Sequence, residues 1–168
     1  MDFFFFGSLM DDDVARLVLG RSVVARDRLP ARAEGFRRAL LAGESYPVLL
    51  PRPGGHVDGV LTRGVTAAEH ARIAWFEDGE YDLAEIPVAV ASGERVPAWV
   101  CLRRAGTAVN PDSEWSFARW QVEDKASFLE LARGWMDLMG RATIAEAEAA
   151  WQALKAAQHA PITRLRRN

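Results

Sequence analysis

The chain has 168 residues, 49% of them apolar and 26% charged, and a formal net charge of -2. That mixture excludes intrinsic disorder, and without a basic excess nothing argues for a nucleic-acid partner. The lone cysteine, Cys101, rules out an intrachain disulfide and with it a secreted disulfide framework, so a cytoplasmic, reducing compartment is expected.

The chain opens Met1-Asp2-Phe3-Phe4-Phe5-Phe6. No basic residue precedes this apolar run, which is too short for a signal peptide or a membrane helix, so no membrane partner is expected. Phe3 to Phe6 reads instead as a short central strand, apolar on both faces. Gly7-Ser8 interrupts it. A helix is expected from about Leu9 to Leu19, with Val14, Leu17 and Val18 at helical spacing, Asp11 to Asp13 in the first turn and Gly20 as its stop. Ala31 to Leu41 reads as a strand, Val48 to Leu50 as a short one between prolines, and Val57 to Thr62 as a third after the turn Pro53-Gly54-Gly55.

Thr66-Ala67-Ala68-Glu69 has capping-box spacing and opens a helix through Ile73, Trp75 and Phe76. Glu77-Asp78-Gly79-Glu80-Tyr81 follows, then strands Ile86 to Val90 and Val96 to Leu102 joined at Ser92-Gly93-Glu94. Beyond Asn110 the pattern turns helical, with Trp115, Phe117, Trp120, Phe128, Leu131, Trp135 and Leu138 on an interrupted apolar stripe ending near Gly140. Thr143 to Glu146 is a second capping box, opening an Ala-rich helix that stops before Pro161. The ending Arg164-Leu165-Arg166-Arg167 reads as a solvated tail. The expected fold class is α+β: a small mixed β-barrel over residues 1–105, with a helical extension over 106–168 packed on the same domain. A homodimer contact through those helices is the alternative role for them.

Two places carry candidate chemistry. At Phe6-Gly7-Ser8-Leu9 a glycine permits close backbone approach, and the first amides of a helix lack partners, so the turn can bind a carboxylate or a polarised carbonyl. A plain tight turn with Ser8 as N-cap is the rival reading, and Asp11 to Asp13 count against an anion. Glu77 directly follows Trp75-Phe76 at the end of an apolar helix, where lost solvation raises a carboxyl pKa toward the range useful for proton transfer. An ordinary exposed glutamate fits the same position. Asp78 and Glu80 are like-charged neighbours, but neither directly follows the apolar helix.

The remaining residues are less informative. His56, His70 and His159 lack metal-ligand spacing, so no metal is expected. Cys101 in an apolar strand reads as a buried structural thiol, and Ser8 lacks the surroundings of a nucleophilic serine. There is no phosphate loop or dinucleotide fingerprint. The C-terminal tryptophans read as core rather than ligand box.

In order and spacing, these pieces resemble the γ-glutamylcyclotransferase-like family. Phe6-Gly7-Ser8-Leu9 is similar to its opening Tyr-Gly-Ser-Leu motif, and Tyr46-Pro47-Val48-Leu49 with Val57-Asp58-Gly59-Val60-Leu61 to its middle stretch. Trp75-Phe76-Glu77-Asp78-Gly79-Glu80-Tyr81 resembles its Phe-Glu-Gly-x-x-Tyr motif, and Val96-Pro97-Ala98-Trp99-Val100 its late strand. The likeness covers residues 3 to 103. It implies a small mixed barrel with flanking helices, no metal or organic cofactor, and release of 5-oxoproline from a small-molecule γ-glutamyl ligand. By the same resemblance Phe6, Gly7, Ser8, Leu9 and Tyr81 bind the ligand, and Glu77 is the general acid/base. Three departures, Phe6 for Tyr, Asp78 for Gly and Cys101 for a frequent Tyr, favour the alternative of a non-catalytic binding or regulatory module that keeps the pocket.

Overall fold

In a computed structural model, residues 1–77 and 81–159 are described. Asp78, Gly79 and Glu80, the expected stop at Pro161 and the basic tail Arg164 to Arg167 lie outside the described residues.

The first strand, β1 (Phe3–Phe5), is fully buried because successive side chains enter two different apolar regions. Phe3 and Phe5 face the helices, whereas Phe4, with Phe6 just beyond the strand, faces Ala33, Leu61, Val88 and Val100. β1 runs antiparallel to β3 (Pro47–Thr62) and parallel to β5 (Arg95–Arg103). β5 pairs with β4 (Tyr81–Val90), β4 with β2 (Arg28–Leu41), and β2 with β3, all antiparallel, which closes a five-stranded mixed barrel. A sixth strand, β6 (Val109–Asn110), adds to the end of β2.

Two strand expectations are corrected, and one further strand was not expected. The segments Val48 to Leu50 and Val57 to Thr62 are one continuous strand, and Pro53-Gly54-Gly55 is not a turn between strands. Residues 52–55 instead bulge opposite Gly35, between the pairs Glu34–His56 and Phe36–Pro51. Pro51 and Pro53 have no N–H to give the ladder, and Gly35 (φ 82°) and Gly54 (φ 73°) take left-handed backbone, so the pair bends there without ending. β4 begins at Tyr81 rather than Ile86, held by nine pairs with β5 that overcome the weak alternation of Asp82 to Glu85. The strand β6 has no signal of its own; two residues are too few for a periodicity.

Five α-helices are present among the described residues: α1 (Asp12–Leu19), α2 (Ala67–Phe76), α3 (Phe117–Glu123), α4 (Lys125–Asp137) and α5 (Ile144–His159). α1 starts later than its apolar spacing suggests. A 3-10 turn over Ser8–Met10 comes first, and Asp11 caps α1 by accepting from the Asp13 amide at 3.0 Å, so Ser8 is not the cap. Gly20 ends α1 in left-handed backbone, and Thr66 closes its capping box with Glu69. The interrupted C-terminal stripe is two helices breaking at Asp124. Their Trp120, Phe128 and Trp135 pack in one cluster with Phe3, Phe5, Leu9 and Ile73, so barrel and helices share a core. No helix of the described residues is long and apolar enough to cross a membrane.

Candidate active site

β1 delivers its last residues to a cavity of about 170 Å³ between the barrel and α4–α5. Gly7 leaves the strand at φ -129° and ψ -139°, and a Cβ there would come within 3.0 Å of the Pro47 ring. Glycine therefore lets the β2–β3 hairpin close against the strand end. The chain then turns through Ser8–Met10, fixed by Met10 N–H to the Gly7 carbonyl at 2.9 Å and Asp11 N–H to the Ser8 carbonyl at 3.0 Å. Ser8 and Leu9 open that turn, so it offers their amides no acceptor of its own.

Two arginines of β2 hold this segment from behind. Arg38 Nε donates to the Phe6 carbonyl at 2.7 Å, its guanidinium also donates to the Asp58 carbonyl, and it lies 5.4 Å from the Trp115 ring centre. Arg28 donates to the carbonyls of Leu9 at 3.1 Å and Met10 at 2.7 Å. Across a trans peptide the C=O and the next N–H point oppositely, so fixing the Phe6 carbonyl on Arg38 turns the Gly7 N–H away from β2. Burial lowers the pKa of both guanidiniums, opposed by Asp58 at Arg38 and by Asp12 and Asp11 at Arg28.

Glu77 reaches the same cavity from another element, as the residue that terminates α2. Its backbone N–H donates to the Ile73 carbonyl at 3.0 Å, and the side chain is half-buried. Two residues earlier a reciprocal pair fixes the helix end: Trp75 Nε1 donates to the Trp135 carbonyl at 3.2 Å, and Trp135 Nε1 to the Trp75 carbonyl at 3.0 Å. Tyr81 donates its hydroxyl to the Pro47 carbonyl at 3.0 Å, tying β4 to the same hairpin. Cys101 is buried, and burial first, then the Glu77 charge, pushes its thiol well above the ordinary value. That thiol is unsuited to nucleophilic chemistry.

Phe6, Gly7, Ser8, Leu9, Glu77 and Tyr81 all line this one cavity. Several lining residues lie outside the motifs read from sequence as its site. Tyr46 and Pro47 contribute from the hairpin, and Glu148, Trp151 and Gln152 from α5. The last three fall at i, i+3 and i+4, a shared helical face that could have flagged them. Trp135 and Trp151 line the cavity and also pack against the core, so reading the C-terminal tryptophans as core alone is corrected for these two. Trp115 and Trp120 are core residues outside it. Among the described lining residues there are two carboxylates, Glu77 and Glu148, and no Lys, Arg or His. Among the described residues no group of three or more His, Cys, Asp or Glu could hold a metal ion.

A family model described as Gamma-glutamyl cyclotransferase, AIG2-like matches residues 3–120. The chain is 29% identical over 137 residues to AIG2-like protein C of Arabidopsis thaliana, covering 81% of this chain and 78% of that one. It is 29% identical over 132 residues to AIG2-like protein A of the same plant, covering 76% of each. A solution structure of an Arabidopsis thaliana protein superposes with a TM-score of 0.59 at 26% identity, covering 83% of this chain and 84% of that one. A structure titled Gamma-glutamyl cyclotransferase superposes at a TM-score of 0.50 and 17% identity, covering 66% and 68%, a likeness of fold alone.

Proposed function

Because this chain belongs to the Gamma-glutamyl cyclotransferase, AIG2-like family, we propose that it cyclises a small γ-glutamyl amine, amide or peptide and releases 5-oxoproline. The observation that carries this reading is the shared cavity: a half-buried carboxylate, Glu77, and the strand-end backbone of residues 6–9 line the same hollow. In the proposed reaction the γ-glutamyl group lies along Phe6, Gly7, Ser8 and Leu9, with Tyr81 beside it. Glu77 accepts a proton from the substrate α-amine, whose nitrogen then bonds to the γ-carbonyl carbon. The bond from that carbon to the leaving nitrogen breaks, and Glu77 returns the proton to it. The nucleophile belongs to the substrate itself, so orientation supplies much of the rate and one carboxylate suffices for the proton traffic. Backbone amides at the turn would stabilise the oxyanion that forms on the γ-carbonyl.

The test is 5-oxoproline release from a panel of γ-glutamyl compounds. Glu77→Gln is expected to abolish it while leaving the thermal midpoint within a few degrees, since the half-buried side chain keeps its shape. Product formation by that variant at the wild-type rate, or none by the wild type, would end the proposal. A second reading is supported by Phe6, whose ring is 6% exposed and brings no hydroxyl to the cavity. On that reading the chain binds its ligand without turnover, which would show as a ligand-induced rise in melting temperature with no product.

A further inference from the structure

We infer that the preferred substrate is a γ-glutamyl amide whose leaving amine carries an apolar, aromatic-sized group and no carboxylate. This rests on the reading above and narrows it. With the γ-glutamyl moiety against residues 6–9 and its γ-carbonyl within reach of Glu77, the leaving group meets the remaining walls. Most of these are apolar and chiefly aromatic, Tyr46, Phe128, Trp135, Ile144 and Trp151, with Glu148 and Gln152 as the polar exceptions on α5. Their rings already pack edge to face, Phe128 to Trp151 at 6.1 Å and 79°, and Trp135 to Trp151 at 5.9 Å and 89°. A further ring continues that pattern and loses its own contact with water.

Charge argues the same way by exclusion. A leaving group ending in a carboxylate, as in glutathione, would be desolvated in a cavity whose described lining has no cation, and beside Glu148, an exposed carboxylate of the α5 face. A buried unpaired charge is costly, and a like charge nearby adds to the cost. An uncharged aralkyl group meets neither penalty. For γ-glutamylphenethylamide the new bond joins the α-nitrogen to the γ-carbon, the bond to the phenethylamine nitrogen breaks, and one proton passes from the first nitrogen to the second. No further reactant is needed.

The experiment compares γ-glutamylphenethylamide, γ-glutamylethylamide and glutathione on the full chain, reading both 5-oxoproline release and binding by tryptophan fluorescence. The phenethylamide is expected to exceed each of the others by about tenfold or more in kcat/KM, the scale on which an apolar pocket separates groups of different size. Trp151→Ala should shrink its lead over the ethylamide, and Glu148→Lys, at an exposed position that tolerates the change, should raise acceptance of glutathione. Glutathione binding or reacting as well as the phenethylamide in the wild type overturns the inference. If no compound yields product, the proposed reaction fails and selectivity is judged on binding alone: the same order of affinities upholds it, and equal or reversed affinities sink it.

Discussion

Arg38 shows how one side chain can set the direction of a neighbouring peptide. Its Nε holds the Phe6 carbonyl at 2.7 Å, and no other donor to that oxygen is seen among the described side chains. Arg38→Met removes the donor and keeps most of the stem. The expected cost is about 1.5–3 kcal/mol, the usual range for a hydrogen bond involving a charged group. The informative readout is the Gly7 amide resonance, which should shift if its peptide is released; an unchanged signal refutes the positioning role. Asp11 supports the same segment by a different route. Burial raises its pKa, but hydrogen bonds from Lys125, Gln121 and the Asp13 amide, with the Lys125 charge, outweigh it and leave the carboxyl below its ordinary value of 3.8. A depressed folded-state pKa means that this stabilisation is complete above 3.8 and disappears as pH falls through the lower folded value. Asp11→Asn should therefore narrow the gap in urea midpoint between neutral and acidic solution, relative to the wild type. An acid limb of unchanged steepness would exclude that contribution.

The strands carry constraints that single residues do not reveal. Gly59 of β3 pairs with Ala31 of β2, and a Cβ there would collide with the Phe5 carbonyl and lie 2.6 Å from the Phe4 ring. Gly59→Ala must displace β1 itself, so a loss of about 3 kcal/mol is expected, the upper end for overpacking. Denaturant unfolding measures it, and a loss under about 0.5 kcal/mol, the range of neutral surface changes, would contradict the close approach. Elements with strong local signals were legible from the chain alone: the capping boxes at Thr66 and Thr143, the stop at Gly20 and the hairpin turn at Gly93 stand where their chemistry predicts. The run Pro47–Thr62 was not, because Pro51, Pro53, Gly54 and Gly55 read locally as a break, while pairing with β2 on both sides of the bulge carries the strand through. Within the cavity, residues 6–9, Glu77 and Tyr81 stood out from sequence, and Tyr46 lay in a family-like stretch without a role assigned, whereas Glu148 and Gln152 did not stand out. Those two are ordinary residues of a helix until tertiary packing turns them toward the cavity.

At the scale of the molecule, barrel and helices depend on each other. Phe3, Phe5, Leu9 and Ile73 are covered by Trp120, Phe128, Ala132 and Trp135, all from the C-terminal third. Residues 1–109 alone should lose cooperative unfolding and bind a hydrophobic dye, because this apolar face would meet water. A sharp melting transition in that fragment would show instead that the barrel stands alone and that the helices serve another purpose, such as self-association, which sedimentation of the full chain would detect. The cavity inherits this interdependence, since strand end, hairpin, α2, α4 and α5 each supply part of its wall. A molecule lodged there staples all of these segments and has no equivalent seat on the unfolded chain. At a hundred times its dissociation constant it would add about 2.7 kcal/mol to the folded state. Heat resistance thus becomes a search tool: a compound library can be ranked by how far each member delays melting, before anyone knows which bond, if any, the protein breaks.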